Sequence, residues 1–107
     1  MQFQLTGQQI EVTPALRAHA ESRLDRLTRL DERCLGLSMV LSIDKLQHCA
    51  DATLSTTGAA LHAAACGADM YASIDMVFDK LAAQLRRHRD KVTDKHQQEA
   101  REARQIG

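Results

Sequence analysis

Aromatic rings are scarce in this chain. Of its 107 residues one is tyrosine, two are phenylalanine and none is tryptophan, 3% in all. That shortage argues against a platform that stacks bases on rings, and leaves shape and backbone contacts as the route to any RNA. Neither sign of charge is in excess: 14 Lys and Arg balance 14 Asp and Glu, so no global field draws in a polyanion. Proline occurs once and 44% of residues are hydrophobic, which argues for one folded domain rather than a disordered chain. No apolar run nears the ~18 residues that cross a bilayer, and the N-terminus lacks the apolar stretch of a secretion signal. Cys34, Cys49 and Cys66 are odd in number and form no C-x-x-C pair. Together these absences lead us to expect a soluble protein in a reducing cytoplasm. A phosphate-cradling loop, a dinucleotide glycine pattern and a Ser/His/Asp order are missing too, so catalysis finds no support.

What is present centres on residues 69–95. Met70, Ile74, Val77, Phe78, Leu81 and Leu85 recur at the spacing of an amphipathic helix and fall in one arc of about 100°. Asp69 suits the N-cap, where its carboxylate accepts from free backbone amides. Lys80, Gln84, Arg87 and Lys91 form a second, basic stripe beside the apolar one. Charge is also split along the chain. Residues 34–79 hold one lysine against five aspartates, whereas residues 80–107 hold eight Lys or Arg against four acids. Such a split gives either a local electropositive surface or simply a solvated helix face.

Upstream, Phe3 and Leu5 alternate with polar residues, a half-buried strand ending at Gly7. Thr13 as N-cap and Pro14 in the first turn open a helix that ends near Leu30. Leu16, Ala20, Leu24 and Leu27 make its buried stripe, with His19, Arg23 and Arg26 alongside. From Leu35 the period falls to two: Leu35, Leu37, Met39, Leu41 and Ile43 face one side. Lys45–Ala50 reads as a connection, Ala52–Thr56 as a strand, Thr57-Gly58 as a tight turn and Leu61–Ala65 as a last strand. The order is β-α-β-β-β-α, an α+β fold with two helices on one face of a four-stranded sheet. The crossover rule makes the first two strands parallel if they are neighbours. The other face is expected to be polar, with Ser38, Ser42, Thr53, Ser55, Thr57 and His62. Residues 1–95 form the domain, and 96–107 read as a frayed or extended helical tail.

His48, Cys49, Asp51, His62 and Cys66 invite a metal or nucleophile reading, but their spacing fits no zinc pattern, and Cys66 and His62 need not share a face with the others. Asp75 and Asp79, one turn apart, read as a solvated face balanced by Arg86 or Lys80. Tyr71 either packs at the helix entry or touches RNA. The two basic stripes remain: with the helices side by side, Arg23 and Arg26 would line one groove with Lys80, Arg87 and Lys91, a fit for a phosphate backbone.

The run G-A-D-M-Y-A-S-I-D-M-V-F-D-K-L-A-A-Q-L-R-R-H-R-D-K resembles the signature helix of the bacterial ribosome hibernation promoting factors, a family also known for ribosome-associated inhibitors and sigma-54 modulation proteins. T-G-Q-Q-I-E-V-T-P-A-L-R and H-C-A-D-A-T-L extend the likeness over about residues 2–95. The resemblance implies a fold like that of a double-stranded-RNA-binding domain. It also implies a non-enzymatic protein, without a cofactor, that binds small-subunit rRNA in the mRNA and tRNA channel near the decoding region. There it would stop translation and keep ribosomes inactive in stationary phase or stress, acting with a second ribosome-pairing factor. Matching the family's basic positions implies RNA contacts for Arg23, Arg26, Lys80, Arg86, Arg87, His88, Arg89 and Lys91. Asp69, Tyr71, Asp75 and Asp79 match its D-M-Y-x-x-I-D-x-x-x-D-K pattern. Pro14, His19 and Cys66 depart from it. The length resembles the family's short form, and the tail, not strongly acidic, resembles the branch that promotes ribosome pairing. The alternative, from the family's other name, is a protein-binding modulator of an alternative sigma factor.

Overall fold

The computed structural model describes residues 1–106, with side chains described through His88. Its elements are β1 (Gln2–Gly7), α1 (Pro14–Leu30), β2 (Cys34–Asp44), β3 (Gln47–Thr56), β4 (Ala59–Gly67) and α2 (Met70–Ile106). They form a mixed sheet in the order β1-β2-β3-β4, with β1 parallel to β2 and the other pairs antiparallel. The expected α+β order and the parallel first pair are both present. The expected tail, 96–107, lies beyond the described side chains.

Each helix starts where its cap residues dictate. Thr13 Oγ1 accepts from the Leu16 amide at 3.2 Å, and Pro14 follows in the first turn. Asp69 Oδ1 accepts from the Tyr71 amide at 3.2 Å. Leu16, Ala20 and Leu27 of α1 and Ile74, Val77, Phe78, Leu81 and Leu85 of α2 are buried against Leu37, Met39, Leu41 and Leu54 of the sheet. Buried Ser73 locks α2 to β3 by donating its hydroxyl to His48 O at 2.6 Å. Gly7 is required by a close approach, since a Cβ there would lie 2.2 Å from Ile10 O. Gly58, at φ +86°, makes the β3–β4 turn, where L side chains are strained.

Three sequence expectations need correction. The first is the connection expected at Lys45–Ala50, which is only Lys45-Leu46, because the ladder runs on through Ile43↔His48 and Asp44↔Gln47. Lys45 takes φ +58°, the conformation for which glycine or asparagine would have been the signal. Second, Leu35 does not face the core. The register shifts between Cys34 and Gly36, so Cys34 turns inward and Leu35 is 58% exposed. Ile43, near the hairpin end, is also exposed. Third, Cys49 and Cys66 do share a face: they sit directly opposite each other on β3 and β4 and are joined as a disulfide, leaving Cys34 as the buried free thiol.

The sheet's second face carries Ser38, Ser55, Thr57 and His62, all exposed, with Ser42 and Thr53 half-buried. His62 Nε2 lies 2.6 Å from Asp51 Oδ1 across the β3–β4 pair. Edge strand β4 is covered from the side by α2. Lys80 Nζ donates to Ala64 O at 2.8 Å and Gln84 Nε2 to His62 O at 2.7 Å. These bonds occupy backbone acceptors that an open edge would offer to another chain.

Candidate nucleic-acid interface

Helices α1 and α2 lie side by side, so the row beside the buried stripe of α1 meets a row of α2. On α1 that row is His19, Arg23 and Arg26; on α2 it is Asp75 and Asp79, one turn apart. Asp75 Oδ1 accepts from Arg23 Nε at 2.9 Å and lies 2.8 Å from His19 Nε2. Asp79 Oδ1 accepts from Arg26 Nη1 at 2.5 Å. Tyr71 stands edge-on to the His19 ring, with centroids 5.1 Å apart. These contacts line a groove of about 270 Å³ floored by Phe78 and walled by Ser22, Arg23, Arg26, Asp75 and Asp79.

The arginine side chains are 44% and 45% exposed, and each gives one N–H to a carboxylate while the rest of the side chain keeps contact with solvent. Exposed pairs of this kind contribute at most about 1 kcal/mol each to stability. Their larger effect is geometric, because they hold two long side chains in fixed places. Partial burial acts to raise the pKa of Asp75, but the bonds from Arg23 and His19 outweigh it and hold the carboxyl below its ordinary range.

The sequence placed Arg23 and Arg26 in one groove with Lys80, Arg87 and Lys91. The structure does not bring Arg23 and Arg26 together with Lys80 or Arg87. At about 100° per residue, Lys80 is turned away from Asp79, onto the β4 side of α2, where it bonds Ala64 O. Arg87 lies seven residues on and shares that side, with its side chain exposed. Arg86, also exposed, lies seven residues after Asp79 and continues the flank that faces α1. His88 is half-buried, and its charge contributes to lowering the pKa of Asp31. The side chains of Arg89 and Lys91 lie outside the described residues. The partners expected for Asp75 and Asp79, Arg86 or Lys80, are replaced by His19, Arg23 and Arg26 of the other helix. Sequence reasoning missed that set, although the signal was present: cations at i, i+4 and i+7 on one helix and acids at i and i+4 on the other.

A second charged cluster closes the turn after α1. Buried Asp31 accepts from the Arg33 amide, Nε and Nη2 at 2.9, 3.0 and 2.9 Å. The Arg33 side-chain bonds outweigh burial and lower its pKa. Of the residues considered for a metal, Cys49 and Cys66 are bonded to each other and His62 faces Asp51. Among the described residues no group of three or more His, Cys, Asp or Glu is placed to hold a metal ion. Among the described residues, too, no helix is long and apolar enough to cross a membrane.

Comparison with known proteins places the chain among relatives. The chain is 45% identical over 92 residues to the ribosome hibernation promoting factor of Salmonella typhimurium, an alignment covering 86% of this chain and 97% of the relative. It is 42% identical over the same length to that of Escherichia coli. Among solved structures, a ribosomal subunit interface protein from Coxiella burnetii superposes with a TM-score of 0.80 at 31% identity, covering 84% of this chain and 99% of that one. The N-terminal domain of Thermus thermophilus Protein Y matches with a TM-score of 0.76 at 30% identity, covering 82% and 99%. Residues 3–93 match the family model described as sigma 54 modulation protein / S30EA ribosomal protein, and the chain belongs to that family.

Proposed function

We propose that this protein is a cytoplasmic ribosome hibernation factor. In this reading it binds small-subunit rRNA in the mRNA and tRNA channel near the decoding region, blocks translation, and stabilises inactive, paired ribosomes in stationary phase or stress. It acts by occupancy rather than by catalysis, with residues 1–95 as the binding unit and a second pairing factor as a partner. The names of its relatives, hibernation promoting factors and a ribosomal subunit interface protein, support the role.

The observation that carries the mechanism is the ridge formed by the two helices. It displays Arg23 and Arg26 from α1, half-exposed and paired to carboxylates, with exposed Arg86 two turns further along the same flank of α2. Guanidinium groups bind phosphate through paired N–H donors, which suits an interface poor in aromatic rings. Arg23 and Arg26 are balanced by Asp75 and Asp79, so the positive surplus begins beyond Asp79. There we place Arg86, Arg87 and His88, with Arg89 and Lys91 following in the sequence. Lys80 belongs to the far flank, where it contributes to the same field from beside β4.

Sedimentation with purified small subunits on a sucrose gradient tests this. Arg23→Gln/Arg26→Gln/Arg86→Gln/Arg87→Gln is expected to leave the subunit fraction at salt concentrations where the unchanged protein stays bound. Each lost phosphate contact should flatten the dependence of log affinity on log salt by roughly 0.7–0.9. The same gradient shows whether ribosomes pair. Co-sedimentation of that variant like the unchanged protein would overturn the assignment. Binding indifferent to salt and nuclease would instead favour a protein partner such as an alternative sigma factor.

A further inference from the structure

We infer that Asp75 and Asp79 are positioning residues for RNA binding: they hold the guanidinium groups of Arg23 and Arg26 ready for phosphate, and so strengthen the binding of a polyanion although they are anions themselves. This rests on the ribosomal reading above and goes beyond it, because acids on a phosphate-binding ridge would ordinarily be counted against affinity.

The geometry carries the inference. Each carboxylate reaches across the helix pair to one arginine and takes one N–H, Nε of Arg23 or Nη1 of Arg26. The remaining N–H groups stay available, and the side chains are nearly half exposed. His19, held against the same Asp75 oxygen and braced edge-on by Tyr71, gives that carboxylate a second anchor on α1. Phe78 beneath the groove is fully buried, so the pairs rest on the packed core.

Two opposing effects decide the sign. A loose arginine must be immobilised when phosphate binds, a cost equivalent to about two- to tenfold in affinity for each side chain. An arginine already paired to a carboxylate has met most of that cost on folding. Against this stands repulsion between carboxylate and phosphate. They would lie on opposite edges of one guanidinium, in contact with water and near a Debye length apart, where repulsion costs about twofold or less. Ordering therefore outweighs repulsion, and the carboxylates act in favour of binding.

The test separates charge from hydrogen bonding at constant charge. Asp75→Asn/Asp79→Asn and Asp75→Ala/Asp79→Ala remove the same two charges, but only the asparagines keep an oxygen to accept from Arg23 and Arg26. Affinity for purified small subunits is measured for both at fixed salt, with thermal melts to confirm folding. We expect the alanine pair to bind about tenfold more weakly than the unchanged protein, and the asparagine pair to recover most of the loss. If the alanine pair does not melt cooperatively, Asp79→Ala against Asp79→Asn carries the test, since Asp79 is 65% exposed. Equal tightening of both pairs would show that the carboxylates act as electrostatic brakes, and no change in either would show that they do nothing; each overturns the inference. Arg23→Gln/Arg26→Gln serves as the reference. Should it bind as well as the unchanged protein, the ribosomal reading of the groove itself fails, an outcome distinct from the other two.

Discussion

Along the flank of α2 that faces α1, Asp75 and Asp79 receive cations from the neighbouring helix; along the flank that faces β4, Lys80 and Gln84 give hydrogen bonds to an edge strand. The two flanks lie on either side of the apolar arc of one helix, each a polar stripe beside it. Their surroundings separate them. The α1 flank gathers half-exposed guanidinium groups whose remaining donors face water, whereas the β4 flank turns its ammonium onto a backbone carbonyl and closes the sheet. In the proposed function, side-chain type alone therefore does not mark a binding residue; what is proposed to matter is whether the fold has already given that side chain a backbone partner.

The comparison breaks most completely where both flanks rest on the same floor. Phe78→Ala should cost about 3–5 kcal/mol and remove both flanks together, seen as a lowered urea midpoint with binding lost in parallel. Substitutions on the separate flanks should divide stability from binding. Arg23→Gln/Arg26→Gln should weaken small-subunit binding by about tenfold or more, about 1.4 kcal/mol, with a smaller change in the melt. Lys80→Ala and Gln84→Ala should do the reverse, each lowering stability by about 1 kcal/mol and weakening binding less than the arginine pair does. Hydrogen exchange at β4 amides should report the exposed edge. A Lys80→Ala variant as stable as the unchanged protein but bound far more weakly would erase the distinction.

The smallest effect is set by pH. Asp31 and Asp75 have carboxyl pKa values lowered in the folded chain, Asp31 by Arg33 and Asp75 by Arg23 and His19 against the opposing effect of burial. Their contribution is fully present above the unfolded value of about 3.9 and is lost as pH falls through the lowered folded values. Urea midpoints should hold near neutrality and decline below about pH 4, and Asp31→Asn should decline less steeply. A variant with the same acid slope would remove Arg33 and Asp31 from the account.

Much of this was legible in the chain because local rules and the fold agree. Thr13-Pro14 and Asp69 mark helix starts, Gly58 marks a turn, and the spacing from Met70 to Leu85 marks the face of α2 that is buried. The failures have physical causes. Lys45 adopts a left-handed conformation without being glycine or asparagine, so the β2–β3 turn carries no sequence signal and the alternating pattern alone gives a β3 that is too short. A bulge at the start of β2 resets the alternation and exposes Leu35. The disulfide depends on a strand register that a list of cysteine spacings does not contain. For the candidate interface, the basic residues can be named from the sequence but their arrangement cannot. The apolar arc of α2 sets which face is buried, yet which flank meets α1 and which meets the edge of the sheet depends on where β4 lies.

The central claim is that Arg23 and Arg26 grip phosphate from the ridge between the helices. Its most direct measurement is the affinity for small subunits across a range of salt, taken for the unchanged protein and for Arg23→Gln/Arg26→Gln. The account predicts weaker binding and a log–log slope shallower by roughly 1.4–1.8, two phosphate contacts' worth. Two coincident lines would contradict it.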